Sequence, residues 1–218
     1  MPNIQKLIAA PGPRFVLPMA GLFLLGLVLN SAWLALLGLL GAAFFAYFFR
    51  DPERTVPQDP GLIVSPADGK VVALDEVQED KFLYRPMRRV GIFMNVCDVH
   101  VNRAPVAGTV VSTTHQPGGF KAAQRPEASE GNEQQATLLD GEDGQRLLVV
   151  QIAGLLARRI ISYVEPGQKL ARGERLGLIC FGSRVDVYLP LGAEVQVKVG
   201  DRVQAGSSIL ARWWLDAA

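Results

Sequence analysis

One dipeptide in this chain carries chemistry of its own: Gly182-Ser183, where two apolar runs, 176–181 and 185–189, meet. Glycine lets the backbone adopt dihedrals that other residues avoid. The hydroxyl of the following serine lies within reach of the glycine carbonyl. Attack there is an N→O acyl shift, which turns the peptide into an ester. Elimination from that ester leaves dehydroalanine, and hydrolysis then gives a pyruvoyl group and ammonia. The same dipeptide also serves as an ordinary hairpin turn between two strands, and taken alone that is its usual meaning.

Such chemistry needs a proton acceptor, and the chain offers two histidines, His100 and His115. Imidazole titrates near neutral pH and can take the serine proton and later return one. His100 follows the apolar run 91–96, and His115 stands where a strand-like run enters a polar loop. Taken singly, each also fits a structural or exposed role. Asp68, in Ser-Pro-Ala-Asp-Gly, is a turn former by type. An aspartate, a histidine and a serine on three segments can converge as a triad, but spacing alone does not establish that they do.

Composition narrows the classes. With 22 basic and 21 acidic residues in 218, the formal charge is +1, and no global field favours nucleic acid. Cys97 and Cys180 are isolated in apolar runs, with no Cys-x-x-Cys or Cys/His spacing. They read as two buried thiols in a reducing compartment, with no disulfide framework and no metal site.

Around these residues the chain divides into three stretches. From Phe15 to Phe49 no residue is charged. A single helix over that stretch would run about 52 Å, beyond the roughly 30 Å of a hydrocarbon core. Asn30-Ser31 divides it, so residues 1–50 read as a hydrophobic helical membrane hairpin. A single tilted span, or a hairpin dipping into one leaflet, remains an alternative. Lys6 and Arg14 before it and Arg50 and Arg54 after it place both ends on the cytoplasmic side of the cell membrane. Residues 51–61 are charged and rich in proline, and read as a linker.

From residue 62 to 218 the pattern is β-type, with glycine and proline between short runs. Strands are expected at 69–77, 90–96, 108–114, 135–139, 146–153, 159–164, 176–181, 185–189, 194–199 and 208–213. Residues 140–144, Asp-Gly-Glu-Asp-Gly, form a hairpin turn, and 118–134 a long loop of the kind that serves as a lid. Segments 166–177 and 199–210 share the pattern Gly-x-Lys/Arg-Leu/Val-x-x-Gly-x-x-Leu/Ile. That repeat predicts a mainly β, sandwiched β-hybrid domain of the lipoyl- and biotinyl-carrier type. A carrier lysine motif is absent; Gly182-Ser183 stands in the equivalent turn.

Six motifs occur in order: Phe-Phe-Arg-Asp-Pro-Glu-Arg at 48–54, Ser-Pro-Ala-Asp-Gly at 65–69, and Asp-Val-His-Val-Asn-Arg-Ala-Pro at 98–105. His-x-Pro-Gly-x-Phe at 115–120, Gly-Asn-Glu at 131–133 and Phe-Gly-Ser at 181–183 complete the set. Together they resemble the short bacterial and archaeal type of phosphatidylserine decarboxylase proenzyme, across residues 45–190 and more loosely the whole chain. The resemblance implies self-cleavage between Gly182 and Ser183 into a β chain, 1–182, and an α chain, 183–218. It implies a covalent pyruvoyl group derived from Ser183, which forms a Schiff base with phosphatidylserine in the membrane and yields phosphatidylethanolamine, with no external cofactor or metal. By motif match, Asp68 and His100 are the acid/base partners of Ser183 in maturation, and His100 or His115 protonates the product. Some long-type members carry a second histidine three residues after the first, where this chain has Arg103. The paired chains of the family can assemble into a homo-oligomer. An ether phosphoserine lipid is an alternative substrate, and a membrane-tethered carrier or adaptor without enzymatic activity is the alternative function. The clusters Arg85, Arg88, Arg89 and Arg158-Arg159 suit phosphate by type but read as surface, and Glu133 reads equally as a substrate contact or a loop anchor.

Overall fold

The computed structural model describes residues 8–119, 131–142, 144–154, 159–180 and 182–213. The chain forms two compact units, Met1–Glu53 and Arg54–Ala218.

The first unit holds α1 (Pro13–Val28) and α2 (Ala32–Phe48). Proline opens α1, where its missing N–H costs nothing. Asn30, with φ of 52°, turns the chain between the helices at the expected break. The two helices pack backbone to backbone at glycines: a Cβ on Gly26 would lie 2.2 Å from the Ala35 nitrogen, and one on Gly38 2.2 Å from the Phe23 nitrogen. Sixteen and 17 residues give helices of about 24 and 26 Å, short of the roughly 30 Å to be crossed. No described helix is long and apolar enough to cross a membrane, so the membrane hairpin expected from the uncharged stretch is not supported.

The second unit is mainly β. Its strands are β1 (Leu62–Val64), β2 (Gly69–Glu79), β3 (Arg85–Met94), β4 (Val101–Arg103), β5 (Gly108–Gln116), β6 (Gln134–Gly141) and β7 (Arg146–Ala153). They continue as β8 (Ile160–Ser162), β9 (Lys169–Leu170), β10 (Arg175–Ile179), β11 (Ser183–Pro190), β12 (Glu194–Val195), β13 (Arg202–Val203) and β14 (Ile209–Arg212). A curled eight-stranded sheet runs β13-β2-β3-β11-β7-β6-β5-β9, and two three-stranded sheets run β1-β14-β12 and β4-β10-β8.

These orders mirror one another, and the sequence repeat is the visible part of the mirror. Strand β13 pairs with β2 as β9 pairs with β5, placing Val203 opposite Gly69 and Leu170 opposite Gly108. Val71 and Val110 donate to Asp201 and Gln168 at 2.9 Å each; Gly206 and Gly173 donate to Ser65 at 2.7 Å and Ala104 at 2.8 Å. Gly206 and Gly173 have φ of 75° and 77°, a left-handed conformation that favours glycine. The halves are not consecutive: β4 to β10 form one, inserted between β3 and β11 of the other. Gly182-Ser183 is where the chain re-enters the outer half.

That topology overturns the hairpin reading of Gly182-Ser183. Strand β10 pairs with β4 and β8, whereas both edges of β11 are taken by β3 and β7. With its pairing capacity filled by distant strands, β11 cannot fold back on β10. The junction is a crossing between sheets. By contrast, β6 and β7 do form the hairpin expected around 140–144, with Asp140 opposite Arg146.

Strand β11 is buried along almost its whole length, and its side chains alternate between two interiors. Val185, Val187 and Leu189 enter the main core with Val71, Ile92, Met94, Leu139 and Val149. The opposite face carries Arg184, Asp186 and Tyr188; Tyr188 packs on a second cluster of Leu138, Leu148, Val150 and Ile152.

Candidate active site

Ser183 opens β11, hydrogen-bonded in register between Met94 of β3 and Ala153 of β7. Its side chain shares the core-facing side with Val185 and is fully buried. The hydroxyl donates to the Met94 sulfur at 3.4 Å. Gly182 before it has φ of 65°, again left-handed, while the space beside its Cα is open. Glycine is therefore required here by conformation and not by room.

His100 is also fully buried. Its Nδ1 lies 2.9 Å from the Asp98 carbonyl oxygen, which can only accept, so Nδ1 carries the hydrogen in the neutral ring. Nε2 is then the basic nitrogen, and it accepts the Gly182 N–H at 3.3 Å. A buried base thus touches the residue whose carbonyl Ser183 would attack. Cys180, two residues before Gly182, is no competing nucleophile, since burial pushes its thiol pKa up. Cys97, expected to be buried, is exposed.

Several groups missed by the sequence reading complete the surroundings. Asn102 donates to the Met94 sulfur at 3.6 Å and accepts from Gln151 Nε2 at 2.8 Å; all three side chains are fully buried. Gln151 fits because Gly177 opposite it has no side chain: a Cβ there would stand 3.1 Å from Nε2. Asn132 donates at 2.7 Å to the carbonyl of Ala153, the register partner of Ser183. The spacing of His100 and Asn102, two apart in an extended run, was a usable signal, since it puts both on one side. Nothing in the sequence marks Met94.

The other sequence candidates lie elsewhere. Asp68 is held by Arg54 Nη2 at 2.9–3.0 Å and by the Ala205 N–H at 2.8 Å, tying the 65–69 turn to the second repeat segment. Its partners include neither His100 nor Ser183. His115, half-exposed at the end of β5, faces Glu133 with 4.0 Å between Nε2 and Oε1. Glu133 anchors the loop through its backbone, donating to Gly119 and accepting from Ala153. Arg88 and Arg89 are paired with Glu76 and Asp75 across the β2–β3 ladder, which leaves them engaged by carboxylates. Arg158, Phe120, Phe181 and the 120–130 part of the proposed lid lie outside the described residues. Among the described residues no cluster of three His, Cys, Asp or Glu side chains could hold a metal.

A fully buried serine thus follows a left-handed glycine whose N–H is held by a buried histidine base. The family model described as phosphatidylserine decarboxylase matches residues 42–211. The phosphatidylserine decarboxylase proenzyme of Nitrosomonas europaea is 47% identical over 212 residues, covering 96% of each chain. That of Symbiobacterium thermophilum is 46% identical over 208 residues, covering 95% of this chain and 96% of its own. The Desulfotalea psychrophila protein of the same name is 43% identical over 208 residues, covering 95% and 97%. This chain belongs to the phosphatidylserine decarboxylase family.

Proposed function

We propose that the chain is a self-processing enzyme that decarboxylates phosphatidylserine to phosphatidylethanolamine, using a pyruvoyl group made from Ser183. The observation that carries this reading is that buried His100 accepts the N–H of Gly182 at 3.3 Å, immediately before the buried Ser183, in a chain of this family. In maturation, Ser183 Oγ attacks the Gly182 carbonyl carbon and the amide nitrogen is released as the ester forms. Removal of the Ser183 Cα proton then expels the Gly182 carboxylate, and water displaces ammonia. His100 is the base of these steps: Nε2 exchanges its bond from the Gly182 N–H to the proton being moved. A basic group placed at hydrogen-bond range typically contributes about 10²–10⁴ in rate.

The surroundings fit a small, uncharged ketone at position 183. Ser183 is buried, its hydroxyl is bonded to Met94, and the Ala153 and Met94 backbones fix the strand on both sides. Once present, a pyruvoyl group supplies a carbonyl that draws off the electrons left behind as CO2 departs. Asn132 and the β3 and β7 ladders hold position 183 in place, and the buried setting of His100 keeps its base out of bulk water.

Asp68 enters the proposal as the residue that fixes the 65–69 turn and, through Arg54, the start of the unit; His115 faces Glu133 at the loop edge. For location, we propose the cytoplasmic face of the cell membrane, because Leu17, Leu24, Leu36 and Leu40 stand exposed on α1 and α2. The sandwiched β-hybrid reading of the fold is supported by the mirrored strand orders.

The test is a decarboxylation assay on phosphatidylserine vesicles with the native protein and Ser183→Ala. CO2 release by the native protein and none by the variant is expected. Equal release by both would remove Ser183 from the reaction.

A further inference from the structure

We propose that Met94 positions the Ser183 hydroxyl for self-cleavage and then packs the methyl group that replaces it. This rests on the self-cleavage reading above. Met94 ends β3, directly opposite Ser183 in the ladder, and is fully buried. Its sulfur is the acceptor of the Ser183 hydroxyl at 3.4 Å, and Asn102 Nδ2 donates to the same sulfur from 3.6 Å. Asn102 is in turn held by Gln151 at 2.8 Å. A run of buried amides therefore fixes a thioether against the reacting oxygen.

The choice of sulfur follows from the atom balance. Peptide Gly182–Ser183 plus one water becomes the Gly182 carboxylic acid, a pyruvoyl group and one ammonia. Ser183 Oγ forms its bond to the Gly182 carbonyl carbon, its bond to Cβ breaks on elimination, and it leaves as part of the Gly182 carboxyl group. Cβ gains a proton and becomes a methyl. The neighbour of this position must thus accept a hydroxyl hydrogen before the reaction and an apolar group after it. A carboxylate, carbonyl or amide oxygen would meet the first demand and be stranded by the second. A leucine would meet only the second. A thioether accepts weakly, which orients the hydroxyl while leaving its lone pairs available, and it packs well against carbon.

The experiment follows release of the 183–218 fragment by intact mass in freshly synthesised protein, and phosphatidylserine turnover per mole of fragment, for the native chain, Met94→Leu and Met94→Gln. Met94→Leu is expected to slow fragment release about five-fold, the worth of one lost hydrogen bond, and to reduce turnover per fragment less than about two-fold. Met94→Gln is expected to reverse the pattern, with release within about two-fold of native and turnover about five-fold lower. Opposite splits in the two variants support the proposal. Native release rates in both, or parallel losses of both steps in both, overturn it and leave Met94 a packing residue. If Met94→Leu fails to fold, Met94→Gln decides alone by whether turnover falls more than release. A native chain that never yields the fragment overturns the self-cleavage reading itself, which the native sample shows without any variant.

Discussion

At the scale of single residues, the account turns on a base just before β4 and a nucleophile that opens β11. The carbonyl of Asp98 fixes the His100 ring so that Nε2 meets the Gly182 N–H. His100→Ala removes the base, and fragment release is expected to fall by about 10²-fold or more. Release timed by intact mass at the native rate would instead make His100 a packing residue. Of the four site candidates read from sequence, Ser183 and His100 sit in one cluster because their motifs abut strands that share a core. Asp68 and His115 carry equally suggestive motifs, yet Arg54, Ala205 and Glu133 engage them. Motif order could not reveal which side chains those partners would claim.

At the scale of elements, β11 ties the reactive end of the chain to a buried ion pair on its far face. Arg184 Nε donates to Asp186 at 2.5 Å, and both side chains are nearly inaccessible. Gly91 of β3 makes the room: a Cβ there would lie 2.6 Å from Arg184 Nη2 and 2.9 Å from Asp186 Oδ1. An added Cβ forces this buried pair to shift at a cost of about 1–3 kcal/mol, so Gly91→Ala is expected to lower the thermal midpoint by roughly 3–10 °C. Gly192→Ala, with nothing within 4 Å of the added carbon, is the control and should leave the midpoint within a few degrees. Similar midpoints for both would show that β3 and β11 adjust freely. The longer strands were legible in the sequence because alternation and glycine or proline boundaries are local properties. Strands β1, β4, β9 and β13 have two or three residues each and offer no period to read. The hairpin alternative at Gly182 has the same origin: adjacency in sequence suggests pairing, whereas β11 pairs with strands far away along the chain.

At the scale of the whole molecule, the inserted half explains why one core holds residues from 63 to 213. The repeat segments disclosed the duplication, but the insertion lies in long-range pairings that no local pattern records. The unit should also carry a defined alkaline limit. Burial, with Asp186 adding to it, pushes the Tyr188 pKa from 10.0 to about 12. Because the folded state holds this proton more tightly, the associated stability is complete below pH 10 and is lost as pH rises towards 12. Tyr188→Phe should flatten that limb by up to about 2–3 kcal/mol in denaturant midpoints measured between those values. An unchanged limb would place the loss elsewhere. The central claim, that the chain cuts itself before Ser183, is tested most directly by the intact mass of the purified protein under denaturing conditions. The account predicts a fragment of residues 183–218, lighter by one ammonia than the same fragment beginning with serine, beside a fragment ending at Gly182. A single uncut chain of 218 residues, unchanged on incubation with phosphatidylserine vesicles, would contradict it.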